Sequence, residues 1–145
     1  FPHLTSNDNA TQVVAAVAEK TFLEKAFLLH ELFTTDGCRN ANRKSRHLYD
    51  LFKMLKAGIA DTAIPNDELW ETIRHHREVF TSIRDVDYTP DVRKRIVLTP
   101  PESVIEEWEN DYATMVANMI YEDNVPTFSD ILAEAAKIES KFKTP

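Results

Sequence analysis

A mainly α-helical domain of about five helices is what this sequence predicts, on three observations. Apolar residues recur at helical spacing in Phe22, Ala26, Leu29 and Phe33, in Leu48, Leu51, Phe52 and Leu55, and in Val104, Trp108, Tyr112 and Met115. Helix-start signals precede such stretches at Ser45, after Pro65-Asn66, at Thr99 and at Thr127. Hydrophobic residues at 43% and charged residues at 28% are ordinary globular values, and 145 residues suffice for one core, so residues 1–145 are read as a single helical domain.

Taken in chain order, Thr5 to Asn9 is polar and turn-like. The β-branched run after it makes Gln12–Ala16 a candidate short strand. Helix one is expected over about Ala18 to Thr34, with Glu24 and Glu31 marking its solvent side and Phe22, Ala26, Leu29 and Phe33 opposite. Lys25 falls inside the apolar arc, between Leu32 and Leu29. A charge there is paired, snorkels to water, or reaches a ligand. His30 and Glu19 share the arc beside Leu23 and Ala26, which predicts an inward His30 held by a hydrogen bond.

Helix two is expected over about Ser45 to Ala57, with Ser45 as N-cap and Gly58 as the C′ glycine. Its core stripe is Leu48, Leu51, Phe52 and Leu55, and Arg46, Asp50 and Lys53 share the far face. Read alone, Arg46–Asp50 is a solvated pair worth about 0.3–0.5 kcal/mol. Helix three follows Pro65-Asn66 and runs to about Phe80, with acids Asp67 and Glu68 in its first turn and a core stripe of Leu69, Ile73, His76 and Phe80. The neighbouring His75 points outward, so the two histidines do not make a metal site.

Arg84 to Val97 reads as irregular, with Ile96–Leu98 a second candidate strand. Thr99-Pro100-Pro101-Glu102 offers a threonine cap, a proline at the first helical position and a capping-box glutamate. Helix four should continue to about Tyr121 on a stripe from Val104 and Ile105 to Met119. Thr127 to Asp130 caps helix five, which carries Ile131, Leu132, Ala135, Ile138 and Phe142. A short Asn124-Val125-Pro126 turn should fold the last two helices into an antiparallel hairpin.

A net charge of −7 argues against gripping nucleic acid by bulk electrostatics. Charge is uneven, however. Arg39, Arg43, Lys44 and Arg46 form a stretch without acids, and Arg93-Lys94-Arg95 is a second basic knot. The lone Cys38 allows no internal disulfide and suggests a reducing, cytoplasmic compartment. No apolar run approaches the roughly 20 residues of a membrane span. Phe1-Pro2-His3 begins no signal peptide and reads as a piece of a longer protein.

Glu19-Lys20-Thr21-Phe22-Leu23-Glu24-Lys25, then Leu28-Leu29-His30-Glu31, then Ser45-Arg46-His47-Leu48-Tyr49-Asp50-Leu51 resembles the C-terminal half of the AbiEii/AbiGii-type nucleotidyltransferase toxins of abortive-infection and type IV toxin–antitoxin systems. His76 to Phe80, Leu98 to Glu102, Asp111-Tyr112 with Met115, and Pro126 to Leu132 continue the likeness, which covers about Val13 to Phe142. The resemblance implies that Lys25 contacts nucleotide phosphates and that Asp50 completes the active site. Arg46 and His47 stand at variable motif positions and are carried over as phosphate-binding candidates.

The family's glycine-rich nucleotide loop and paired metal-binding aspartates have no counterpart upstream of Lys25. Only Gly37 and Gly58 are present, and the one Asp-x-Asp, Asp85-Val86-Asp87, lies far downstream. Mg²⁺ and a nucleoside triphosphate are therefore expected only with an N-terminal nucleotidyltransferase domain outside this chain, and no metal site within it. Three functions stay open. One is the helical half of a nucleotidyltransferase toxin, acting on an acceptor such as tRNA and controlled by a cognate antitoxin. Another is a non-catalytic interaction module that binds the antitoxin. The third is a self-contained enzyme using Lys25, His30 and Asp50, which the lack of a metal clamp disfavours.

Overall fold

A computed structural model of the chain describes residues 2–119 and 124–144, with side chains from Gln12 onward except Met119. The described residues form helices α1 (Pro2–Phe33), α2 (Ser45–Lys56), α3 (Ile59–Ala63), α4 (Asp67–Phe80), α5 (Ile105–Met119) and α6 (Phe128–Lys143), joined by loops and short 3-10 turns. The mainly helical expectation is met.

The helix α1 is central. Phe22, Leu23, Ala26, Phe27 and Leu29 are fully buried, and α2, α3 and α4 pack against them. Phe27 stacks on Trp70 at 5.0 Å and Tyr88 at 5.9 Å between ring centroids, while Phe33 meets Trp108 at 4.8 Å. The second helix lies against both α5 and α6, and the last two helices meet where Tyr112 and Phe128 pack at 5.6 Å. One hydrophobic cluster runs from Phe22 to Phe142.

Both strand candidates are overturned. Gln12–Ala16 lies inside α1, as do Thr5 to Asn9, read as a turn. Two β-branched valines do not outweigh the good helix formers Ala10, Ala15, Ala16 and Ala18 when no partner strand is present among the described residues. Ile96–Leu98 is non-helical but pairs with no strand among the described residues. Its amides bond to side chains instead: Val97 N–H donates to His30 Nδ1 at 3.1 Å, and Leu98 N–H to the Glu139 carboxylate. That accounting removes the need for a ladder.

Other boundaries shift for local reasons. Ser45 is the first residue of α2 rather than its side-chain cap, since Asp111 of α5 supplies the capping oxygens. Gly58 takes φ 84°, the left-handed region that ends α2, and the short α3 follows at once. Thr99 does not cap a helix; its hydroxyl donates to Glu139, and a 3-10 turn over Glu102–Val104 leads into α5. The end expected near Tyr121 lies outside the described residues. Where caps are local, the reading holds: Asn66 Oδ1 accepts from Leu69 N–H to start α4, and Thr127 and Asp130 form a reciprocal capping box on α6.

Two facings differ from expectation. Glu31 is 1% exposed, not on a solvent side. On α4 the buried face is Trp70, Ile73 and Arg74 with Arg77 beside them, while His76 is exposed and Phe80 is 75% exposed. The two stripes share Ile73 and differ by a rotation of about 100°. The observed one wins because it buries Trp70 and brings Arg77 onto Glu31.

Candidate functional site

Lys25 is presented by the last third of α1 and Asp50 by the middle of α2, on the seam where these helices pack. Lys25 Nζ lies 3.0 Å from Asp50 Oδ2, with the side chains 22% and 40% exposed. The same ammonium lies 3.5 Å from His47 Nδ1, one turn before Asp50. Three residues that sequence places 22 and 25 positions apart thus meet at one half-open site.

The hydrogen-bond direction sets the histidine's state. An ammonium only donates, so His47 Nδ1 accepts and its ring is neutral. Burial holds the His47 pKa below its ordinary 6.5, and the charges of Lys25 and Arg46 push it further down. Lys25 has three N–H donors and spends two on protein. The remaining one can meet a phosphate oxygen. At this exposure the ion pair contributes no more than about 1 kcal/mol to folding. It fixes the ammonium in space rather than fastening the fold.

Arg46 is placed elsewhere. It is exposed and lines a cavity of about 350 Å³ between α2 and α5, with Arg43, Asp111 and Met115. Asp50 pairs with Lys25, not with Arg46 as the i, i+4 spacing suggested. His47 faces Lys25, which makes it a second acceptor for that ammonium. No pattern in the sequence signals this contact, because it depends on how α1 and α2 cross.

His30 lies at the core end of the same helix, 2% exposed, and accepts from Val97 N–H. The expected inward orientation holds, with a loop amide as its partner. Burial is the largest influence on its pKa and lowers it. Nε2 is buried without a partner among the described residues. The next residue, Glu31, accepts from Arg77 Nε at 3.0 Å and from the Tyr88 hydroxyl at 2.8 Å. The adjacent Arg74 donates to Tyr88 O and pairs with Glu71. This network was missed by reading Glu31 as a surface marker. Phe27, Leu28 and Leu32 around it were the available signal, since a helix apolar on all sides is buried on all sides.

Among the described residues no group of three or more His, Cys, Asp or Glu side chains could hold a metal ion. Mg²⁺ usually takes one or two carboxylates completed by water and substrate phosphates, and at Asp50 one of the two carboxylate oxygens is already paired with Lys25 Nζ. No described helix is long and apolar enough to cross a membrane.

A family model described as nucleotidyl transferase AbiEii toxin, type IV TA system, matches residues 1–134. The match takes in Lys25, His47 and Asp50 and ends within α6. Neither a curated protein nor a solved structure matches the chain.

Proposed function

Because this chain belongs to the AbiEii nucleotidyl transferase toxin family of type IV toxin–antitoxin systems, we propose that it supplies Lys25 and Asp50 to the transfer of a nucleotide from a nucleoside triphosphate to an acceptor. The observation that carries this reading is the 3.0 Å approach of Lys25 Nζ to Asp50 Oδ2 on a half-open surface between α1 and α2. In this reading the remaining Lys25 donor neutralises phosphate charge as the leaving group departs. Asp50 and the neutral His47 aim the ammonium, and Arg46 attracts phosphates from the flank rather than from within the site.

The metal and its paired carboxylates come, in this proposal, from a nucleotidyltransferase domain outside the chain. Mg²⁺ held there would supply positive charge that offsets the triphosphate. A basic loop with Arg39, Arg43 and Lys44 leading into α2 favours a phosphate-rich acceptor such as tRNA, and the reaction belongs in the cytoplasm. In the longer protein, Lys25→Ala and Asp50→Ala should each abolish toxicity while the melting curve stays within a degree or two of the parent. The 145-residue chain alone, given labelled nucleoside triphosphates, Mg²⁺ and total tRNA, should leave the RNA unlabelled. Robust labelling would instead support a self-contained enzyme.

The family implies a cognate antitoxin. A second reading, a non-catalytic module that binds it, is favoured by one feature: Val13, Val14 and Val17 on α1 are 61%, 70% and 57% exposed. If toxicity survives both substitutions, this reading replaces the first.

A further inference from the structure

Away from Lys25 and Asp50, α3, the start of α4, the end of α6 and the 3-10 turn Val92–Arg95 line an open cavity of about 810 Å³. That is the size of small-molecule sites in other proteins. Its apolar walls include Ile64, Pro65, Trp70, Pro90 and Phe142. Arg93 lies across the rings of Trp70 and Phe142, 5.8 and 5.7 Å from their centroids. Three acceptors fix that guanidinium: Asp67 at 2.6 Å, Ile64 O at 2.9 Å and Phe142 O at 3.2 Å. A guanidinium has five N–H donors, so two stay uncommitted among the described residues.

The charge of the lining supports one class of occupant. Four cations, Arg93, Lys94, Lys141 and Lys143, stand against Asp61, Asp67 and Glu71. Glu71 is taken by Arg74, Asp67 by Arg93 and Asp61 by Lys141, which leaves Lys94 and Lys143 without a carboxylate among the described residues. A surplus of positive charge on a chain of net charge −7 is a local feature. The indole N–H of Trp70 is also buried without an acceptor among the described residues, where buried donors are ordinarily satisfied.

We propose that this cavity binds a small amphipathic organic anion, with Arg93, Lys94 and Lys143 taking the charged group and Ile64, Pro65 and Pro90 the apolar body. A preorganised guanidinium beside apolar walls recognises a carboxylate, sulfonate or phosphate attached to a hydrocarbon better than either part alone. The site shares no residue with Lys25, His47 or Asp50, so it stands or falls apart from the nucleotidyl-transfer reading.

The test uses 8-anilinonaphthalene-1-sulfonate titrated into the intact chain, followed by its fluorescence and by amide and indole NMR shifts. One saturable site is expected, with shifts centred on the Trp70 indole N–H, Ile64 and Lys143. Sulfate alone and naphthalene alone should each bind far more weakly. Reversing the rim charges with Lys94→Glu plus Lys143→Glu should weaken binding about tenfold, as two like charges near an anion would. The same change at Lys20 and Lys44, which lie outside the lining, should have little effect, and thermal melts of both variants establish that they fold. No saturable binding, scattered shifts, or equal weakening by the remote pair would overturn the proposal.

Discussion

His30 shows how one side chain can tie a loop to a core helix. Its Nδ1 takes the Val97 amide, so His30→Ala removes both ring packing against Phe27 and the acceptor of a buried N–H. A loss of about 2–4 kcal/mol is expected, several degrees in melting temperature. An unchanged melt would mean that Val97 finds water instead. The pH response follows with its sign. The folded-state pKa values of His30 and His47 are both lowered by burial, although Glu31 and Asp87 pull His30 upward. As pH falls through about 6.5, unfolded histidines take protons that the folded ones refuse, so stability declines with acidification until the folded rings titrate too. The lowered carboxylates Glu71, Asp87 and Glu134 act in the same direction but only below their ordinary range near 4. The urea midpoint should therefore fall between pH 7 and 5.5, and His30→Gln should flatten part of that fall. A midpoint that rises on acidification would contradict this assignment. Glu31 is the other residue whose environment decides its cost. Burial and the bond to Glu31 push the Tyr88 hydroxyl up to about 12, so it stays a donor, and Arg77 supplies the countercharge. Glu31→Ala should cost about 3–5 kcal/mol by stranding that guanidinium, and Glu31→Gln less, as read from denaturant melts.

At the scale of elements, what could be read from the sequence is what neighbouring residues decide. The α4 and α6 starts and the α2 stop were legible because Asn66, Thr127 and Gly58 act on amides or backbone angles within a few residues. The start of α2 was not, because its cap comes from another helix. Asp111 of α5 accepts Arg43 N–H at 2.7 Å and Ser45 N–H at 3.0 Å, and takes the Ser45 hydroxyl as well. Arg43, with φ 62°, is turned into the left-handed region beside this contact. Thr99 did not cap because the 3-10 turn begins only at Glu102, behind Pro101, and its hydroxyl donates to Glu139, forty residues on. Asp111→Ala should thus behave as a cap deletion and a lost helix–helix contact together, costing about 1–3 kcal/mol, while Asp111→Asn keeps part of it. Hydrogen exchange should localise the loosening to the first turn of α2. Exchange that rises evenly along α2 and α5 would show packing, not capping, to be the main role. The Lys25–Asp50 approach was half legible in the same sense. The two faces could be named from helical spacing, but the crossing that joins them, and that turns His47 toward Lys25 and Arg46 away, is set by tertiary packing.

Across the whole molecule, α1 passes through two environments. From Phe22 to Phe33 it is surrounded by the other helices, whereas Gln12 to Val17 is exposed throughout. That exposed half carries Val13, Val14 and Val17 and no charged residue between Gln12 and Ala18, a composition that seldom faces water alone. The family match begins at residue 1, so this half of α1 is part of the family's domain rather than an appendage. A covering surface, supplied by the proposed nucleotidyltransferase domain, would account for it. Val13→Asp with Val17→Asp should then leave the unfolding free energy of the 145-residue chain within about 0.5 kcal/mol of the parent, since neither valine belongs to its core. In a longer protein carrying that domain, the same pair should lower the melting temperature by several degrees, because two charges would be pressed into an apolar contact. Destabilisation of the chain alone would place the valines in its own core. Silence in both proteins would mean that no domain covers the face, and would leave it to an antitoxin or another partner that binds there.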